Sequence, residues 1–199
     1  MKKTRYLLLT AFLLASLFIT ASPARPAYAA TLTVTNNNDS GTGSLRQAIA
    51  DSNPGDTIDF DDDLSGDTIT LDSQLTIDKH LTIDATSLAS NVIISGNDNV
   101  RVFYVNAGVT AELKGLEIVH GQADNGGGIY NGGELTVTDS TFFDNSATYY
   151  GGGMLNEYSN PTLTNVTFSG NLANLQGGGM LNNSSSCLLY TSPSPRDRS

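Results

Sequence analysis

The sequence is poor in cysteine, tryptophan and basic residues. Its 199 residues include one cysteine, no tryptophan and ten lysines and arginines against 20 acidic residues. A single cysteine excludes an intrachain disulfide, so packing and backbone hydrogen bonds must hold the fold. Between positions 30 and 183 four residues are basic and 19 are acidic, a formal charge of −15. Such a surface repels polyanions, which excludes nucleic acid as a partner, and it attracts divalent cations.

Long apolar runs are also scarce, and the clearest one occupies positions 6–21. Basic residues precede it at positions 2, 3 and 5, and Ala27-Tyr28-Ala29 follows it as an A-x-A motif. This order is typical of a secretory signal peptide, so we predict that residues 1–29 are a leader whose cleavage Ala27 and Ala29 direct. Thr and Ser interrupt the run, which is shorter than the about 20 apolar residues of a spanning helix. We expect an exported protein whose mature part has no transmembrane span.

Positions 184–199 lack the regularity of the residues before them. They hold the only cysteine, Cys187, and two prolines, Pro193 and Pro195. The segment resembles translated sequencing-adapter sequence, and a genuine disordered tail is the alternative. We predict a non-native or disordered tail, and we assign no redox role to Cys187.

Glycine, by contrast, is abundant, and much of it recurs in triplets. Three triplets start 25 and 26 residues apart, each followed by an asparagine, and a Phe-x-x-Asn motif keeps the same period between them. A fixed period in the twenties indicates a solenoid. The repeat residues are Gly126, Gly127, Gly128, Asn131, Phe142, Asn145, Gly151, Gly152, Gly153, Asn156, Phe168, Asn171, Gly177, Gly178, Gly179 and Asn182.

The residues within each period indicate strands. Apolar residues alternate over short runs, as at Leu135 and Val137, with Gly, Asn and Asp between the runs. One coil has room for about three short strands, and copies in register pair in parallel about 4.8 Å apart. We therefore predict an all-β parallel β-helix, with the repeated asparagines stacked as an amide ladder.

A stretch before the first triplet is a weaker copy of the repeat. In positions 102–125, Asn106 stands where Asn131 does, and Ile118 stands where Phe142 does. Counting this coil and the strand-like runs before it, we predict about five rungs over residues 56–183, the last one incomplete.

A short amphipathic helix is predicted near the start of the mature chain. Ser44 and Gln47 have the spacing of a capping box, in which the serine hydroxyl accepts from the N3 amide and the glutamine reaches back. An open solenoid end exposes apolar rungs and strand edges. We predict that residues 30–55 cap the N-terminal end with a strand and a short helix, whose buried face is Leu45, Ala48 and Ile49.

Two motifs resemble known families. The glycine triplets and Phe-x-x-Asn motifs resemble the repeat of chlamydial-type polymorphic outer membrane proteins. The run from Ser44 to Ile49 is similar to the S-L-R-E/Q-A-I (CSLREA-like) segment of many bacterial secreted β-helix proteins, although Gly43 stands where a cysteine is usual. These resemblances imply a right-handed β-helix of the pectin-lyase-like type, displayed at a bacterial surface, and they imply no common activity.

The densest carboxylate group is the candidate metal site. Ca²⁺ prefers carboxylate and carbonyl oxygens, so this group could bind Ca²⁺, and a solvated acidic turn is the alternative. Its spacing fits no EF-hand loop, and no other metal or cofactor is predicted. The four residues are Asp59, Asp61, Asp62 and Asp63.

Nothing in the sequence brings catalytic groups together. A polysaccharide lyase needs a base, and a hydrolase needs two opposed carboxylates. No catalytic or cofactor-binding residue is predicted, because the acids are spread over turns. The basic candidates for a lyase within the repeats are Lys79, His80, Arg101, Lys114 and His120.

The function predicted from these observations is a non-catalytic, secreted or surface-displayed β-helix passenger, acting as an adhesin or display rod. Its expected location is extracellular, at the cell surface or outer membrane of a bacterium. Its partner would be a host or matrix surface, with carbohydrate among the candidates. The alternatives are a polysaccharide lyase or glycoside hydrolase of the pectin-lyase-like fold, and a Ca²⁺-dependent structural module.

Overall fold

The computed structural model describes residues 29–184 and 188–190. Its strands are short, and all pairings between them are parallel. They form four sheets, each of which collects strands from successive coils. Sheet A contains β1 (Thr31–Val34), β2 (Asp56–Phe60), β5 (Leu81–Asp84), β8 (Thr110–Lys114), β12 (Glu134–Thr138), β16 (Thr162–Thr164) and β20 (Leu188–Tyr190).

The other three sheets complete each coil. Sheet B contains β3 (Thr68–Thr70), β6 (Val92–Ser95), β9 (Leu116–Val119), β13 (Thr141–Phe143) and β17 (Thr167–Ser169). Sheet C contains β4 (Leu75–Ile77), β7 (Phe103–Val105), β11 (Ile129–Asn131), β15 (Met154–Glu157) and β19 (Met180–Asn183). The short sheet D occurs only in the later coils and contains β10 (Gln122–Asn125), β14 (Ser146–Tyr150) and β18 (Leu172–Ala173).

The predicted parallel β-helix is confirmed, with about six turns rather than about five. The difference arises at the start, because β1 of the cap pairs with β2 and continues sheet A. Inside the predicted tail, β20 pairs with β16. The non-native or disordered character of residues 184–199 stays a prediction.

The interior is filled by stacked copies of the same apolar position. Ile129 pairs in register with Met154, and Met154 pairs with Met180. The rings of Phe142 and Phe168 stack with their centroids 4.6 Å apart, and Phe142 is fully buried. Burying one such side chain contributes about 1.5–3 kcal/mol. The repeat therefore builds its own core, because each coil supplies the surface on which the next one packs.

The glycine triplets lie where the backbones of neighbouring coils approach most closely. Gly126 has φ +60°, and a Cβ on Gly127 would lie 2.1 Å from the carbonyl oxygen of Ser146. The triplets also bond to one another, since the Gly127 amide donates to the Gly151 oxygen at 3.2 Å. A side chain on the second or third glycine of the first two triplets would separate the coils, and the first glycine has a positive φ. Both requirements explain why glycine recurs with the period of the solenoid.

Two amide ladders follow the triplets and the phenylalanines. Asn131 Nδ2 donates to Asn156 Oδ1 at 2.9 Å, and Asn156 Nδ2 donates to Asn182 Oδ1 at 2.8 Å. Asn145 Nδ2 donates in the same way to Asn171 Oδ1 at 2.9 Å. Because each amide both accepts and donates, Asn131, Asn145 and Asn156 can be fully buried.

The cap contains the helix α1 (Leu45–Asp51), whose Leu45, Ala48 and Ile49 are buried as predicted. Ser44 Oγ accepts from the Gln47 amide at 3.2 Å, which is the first half of the capping box. The second half is wrong: the Gln47 side chain donates to Asp51 Oδ1 at 2.8 Å, one turn further along the helix. The Ser44 amide is instead satisfied by the Gly41 oxygen.

One alignment of the weaker repeat copy is also wrong. Ile118 pairs with Phe142 as expected, but Val105 and not Asn106 lies beside Asn131. The amide ladder therefore begins at Asn131, and Val105 covers its end with an apolar side chain. The structure also contains one 3₁₀ turn, Asp62–Leu64, after β2.

Candidate functional site

The first place where basic and acidic side chains meet is a cleft between α1 and β4. It has a volume of about 410 Å³, and its lining includes Arg46, Asp78 and Lys79. Lys79 Nζ donates at 3.0–3.4 Å to three backbone oxygens at the end of α1, those of Ile49, Ala50 and Ser52. These three hydrogen bonds use all the protons of the Lys79 ammonium and fasten the cap to the solenoid. Lys79 is therefore not placed to act as a base toward a substrate.

Arg46 is held just as firmly. Its Nη2 lies 2.5 Å from Asp39 Oδ1 and its Nη1 donates to the Gln74 oxygen at 2.9 Å. Burial alone would raise the pKa of Asp39, but hydrogen bonds from Arg46 and the Asp72 amide, with the charge of Arg46, outweigh it and lower that pKa. The cleft therefore joins the cap to the solenoid, and its cations are structural.

Arg101 joins sheet C to the end of sheet D. It donates to the Gln74 side chain at 2.6 Å and to the Gly126 oxygen at 3.0 Å. Its guanidinium carbon lies 5.4 Å from the ring centroids of both Tyr104 and Tyr130. Burial lowers the pKa of Arg101, yet a guanidinium stays charged at any physiological pH.

The remaining basic candidates lie apart from these. Lys114 Nζ is 2.7 Å from Glu112 Oε2, and that hydrogen bond raises the pKa of Lys114. His80 Nδ1 accepts from the Thr110 amide at 2.9 Å. His120 lies in another turn, with φ 50°. The five residues named as possible lyase bases are therefore not brought together around one groove.

The four candidate Ca²⁺ ligands are not brought together either. Asp61 Oδ1 accepts from the Asp63 amide at 3.1 Å and caps the 3₁₀ turn, while Asp62 and Asp63 are exposed. Asp59 lies on β2 and lines a different cavity, beside Asp84. Within residues 29–184 and 188–190, no group of three or more His, Cys, Asp or Glu side chains is arranged to hold a metal.

A groove on the outer face of sheet C is the best-formed candidate for a binding site. Its floor consists of Tyr130, Leu155 and Leu181, which are register partners in β11, β15 and β19. Tyr104 continues this line, because its ring stacks on that of Tyr130 at a centroid distance of 4.9 Å. Since register partners lie one above another, the groove runs along the solenoid axis. Its volume is about 390 Å³.

Polar side chains form both walls of this sheet C groove. Asn125, Tyr150 and Gln176 form one wall, each directly before a glycine triplet. Glu157 and Asn183 form the other, and the Tyr130 hydroxyl donates to Glu157 Oε2.

One wall atom is left without a partner. Asn125 Oδ1 is buried and accepts no hydrogen bond from any described residue. A buried acceptor that stays unpaired costs about 1–3 kcal/mol, so a ligand or water that donates to it is favoured.

Exposed aromatic and aliphatic side chains lie next to the groove. Tyr150 is 37 % exposed and Tyr149, beside it, is 46 % exposed. Leu175, whose amide donates to the Tyr149 oxygen, is 58 % exposed. Apolar side chains grouped on a surface beside a groove are typical of binding sites.

Sequence reasoning did not find this groove, although the signal was present. Asn125, Tyr150 and Gln176 share one offset in the repeat, and Tyr130, Leu155 and Leu181 share another. Residues at a common offset of a solenoid form one line on its surface. Identical residues do not mark these lines, because the members of each line differ.

No protein-family model matches this sequence, and no curated protein matches it. In the part of the chain that the structure describes, no helix has the length and apolar character needed to cross a membrane.

Proposed function

We propose that this protein is a secreted or surface-displayed β-helix passenger, of the polymorphic outer membrane protein or CSLREA-like repeat type, that binds carbohydrate without cleaving it. The sheet C groove is the observation that carries this proposal. It follows the solenoid axis, has an apolar floor of Tyr130, Leu155 and Leu181, and offers amide groups along its walls. Such a shape suits an extended polymer rather than a compact metabolite.

The chemistry of the groove favours a hydroxyl-rich ligand. Asn125 Oδ1 needs a donor, and each sugar hydroxyl can donate and accept. Tyr150 presents an exposed ring at the rim, where the apolar face of a sugar can pack. Glu157 and the overall negative charge disfavour acidic polymers such as polyuronates. The ligand class is therefore a neutral or basic glycan.

A non-catalytic role is supported by the hydrogen bonds of the basic side chains, which are bound to oxygens of the protein itself. Lys79 donates to three backbone oxygens, and the guanidinium groups of Arg46 and Arg101 are bound to carbonyl and side-chain oxygens. A glycoside hydrolase needs two opposed carboxylates, and the groove lining supplies amides and a single carboxylate, Glu157, which accepts from the Tyr130 hydroxyl. The groups that line the groove can therefore bind a ligand at the surface of the solenoid.

A glycan array probed with the exported chain, followed by titration calorimetry on the best neutral glycan, tests this proposal. We expect Tyr150→Ala and Asn125→Ala each to weaken binding roughly tenfold, about 1.4 kcal/mol. Tyr158→Ala is the matched control, because Tyr158 is 77 % exposed but lines a different cavity. Its affinity should stay unchanged.

Three results would overturn the proposal. They are the absence of any glycan ligand, equal losses in Tyr158→Ala and Tyr150→Ala, and release of unsaturated products from uronate polymers. The last of these would favour the polysaccharide lyase.

A further inference from the structure

Both backbone groups of Ala30, its N–H and its C=O, form hydrogen bonds to the solenoid. Its amide nitrogen donates to Asp56 Oδ1 at 2.7 Å, and its oxygen accepts from the Thr57 amide at 2.8 Å. Ala29 and Ala30 are both exposed, so the peptide bond between them lies at the surface. This is also the bond at which the A-x-A motif ending in Ala29 predicts cleavage.

Asp56 is an unusual partner for a backbone amide because it is a buried carboxylate. Only 3 % of the residue is exposed. Its Oδ2 accepts from the Asn53 amide at 2.7 Å and from Asn53 Nδ2 at 3.4 Å. These hydrogen bonds, from Asn53 first and Ala30 second, lower the pKa of Asp56. The hydrogen bonds therefore stabilise the Asp56 carboxylate, and a positive charge beside it would stabilise it further.

We propose that proteolysis of the Ala29–Ala30 bond creates an α-ammonium at Ala30 that forms an ion pair with Asp56 and locks the cap onto the first coil. Hydrolysis adds one water: Ala29 keeps a carboxylate, and the Ala30 nitrogen takes the protons that make it an ammonium. The nitrogen is already 2.7 Å from Asp56 Oδ1, so the new charge forms in place. A hydrogen bond from a neutral amide to a carboxylate becomes an ion pair, in which the donor and the acceptor both carry a charge.

Other charged groups near Asp56 come from two elements. Asp51 ends α1, and Lys79 and His80 precede Leu81, the register partner of Asp56 in β5. The His80 oxygen also accepts from the Gly55 amide at 2.7 Å. Any test must cancel the contributions of these three groups. Two chains that differ only in their first residue achieve this.

The lock makes the stability of the cap depend on pH in a defined direction. An α-amino group ordinarily has a pKa of about 7.7–8.0, and pairing with a carboxylate raises it in the folded state. Because Asp56 must also be ionised, the added stability is complete between about pH 3.9 and about pH 7.7, and it is lost as the pH rises through the raised value. Each unit of elevation corresponds to about a tenfold change in the ratio of folded to unfolded chain.

The experiment begins with export of the full chain with its leader and mass spectrometry of the product. We expect the first residue to be Ala30. Thermal unfolding of this product is then compared with that of a chain that retains Ala29, at pH 6.5 and pH 10.5. The chain that begins at Ala30 should have the higher Tm at pH 6.5, and the difference should vanish at pH 10.5. It should also vanish when both chains carry Asp56→Asn.

A second measurement keeps the test decisive if Asp56→Asn does not fold. The α-amine of the exported chain is titrated by NMR in the folded state and in urea, with an elevated pKa expected only when folded. A product that begins elsewhere, equal Tm values at pH 6.5, a difference that persists at pH 10.5, or an unshifted amine would each overturn the ion pair. None of these results bears on glycan binding, which is measured separately.

Discussion

Replacing Gly127 with alanine should open the solenoid at its tightest point. The new Cβ would lie 2.1 Å from the Ser146 oxygen, 2.7 Å from the Gly152 oxygen and 2.8 Å from the Gly121 oxygen. Carbon and carbonyl oxygen do not approach much closer than about 3.3 Å. All three neighbours are backbone atoms, so no rotamer change relieves the contact. The coils must therefore separate by about 1 Å locally.

That separation has a calculable cost. The triplet donates to the next coil through Gly126, Gly127 and Gly128, at 2.9, 3.2 and 3.0 Å. Lengthened by about 1 Å, these contacts are no longer hydrogen bonds. Three such bonds at about 0.5–1.5 kcal/mol each give a loss of roughly 2–4 kcal/mol. For a chain of this size we expect the Tm to fall by roughly 5–15 °C.

Thermal unfolding followed by far-UV circular dichroism measures the effect, with Gly132→Ala as the matched control. The nearest atom to a Cβ on Gly132 is the Val105 oxygen at 3.4 Å, an ordinary contact. That variant should change the stability by less than about 1 kcal/mol. If the two alanine variants unfold at the same temperature, close packing is not the reason for the triplets.

Two further predictions concern side-chain contacts. Asn156→Leu breaks the amide ladder where Asn156 is fully buried, so its free energy of unfolding should fall by about 2–4 kcal/mol in urea titration. Asn182→Leu, at the exposed end of the ladder, should cost less than half as much, and equal losses would contradict the ladder argument. Asp39 has a lowered pKa, so the stability that its contact with Arg46 provides is present above about pH 3.9 and is lost as the pH falls further. Asp39→Asn should flatten the acid limb of a Tm–pH profile, and an unchanged limb would show that other carboxylates govern acid unfolding.

The repeat residues show how much of this fold could be predicted from sequence. Contacts between Phe142 and Phe168, or Asn156 and Asn182, join positions one period apart. In a solenoid, residues one period apart in the sequence are neighbours in space, so the repeat alone predicts which residues pair. The buried face of α1 followed for a similar reason, because its apolar residues share one side of a helix.

The early coils show where this reasoning failed. They have no glycine triplet to mark their period, so the count of about five turns was one short, and Asn106 was placed one residue out of register. A shift of one residue exchanges the inward and outward faces of a strand, and only packing against both neighbours resolves it.

The sequence by itself therefore determined the period, the strands and the stacking of like residues, because these depend only on local alternation and on repetition. The tertiary structure decided the contacts between unlike residues. Gln74 joins Arg46 to Arg101, and Asp56 accepts a hydrogen bond from the Ala30 amide. The repeat does not predict such pairs. Each of them depends on the length and rotamer of a side chain or on the position of a turn. The proposed lock at Ala30 belongs to this second group, whereas the residues that line the proposed groove share offsets of the repeat and belong to the first.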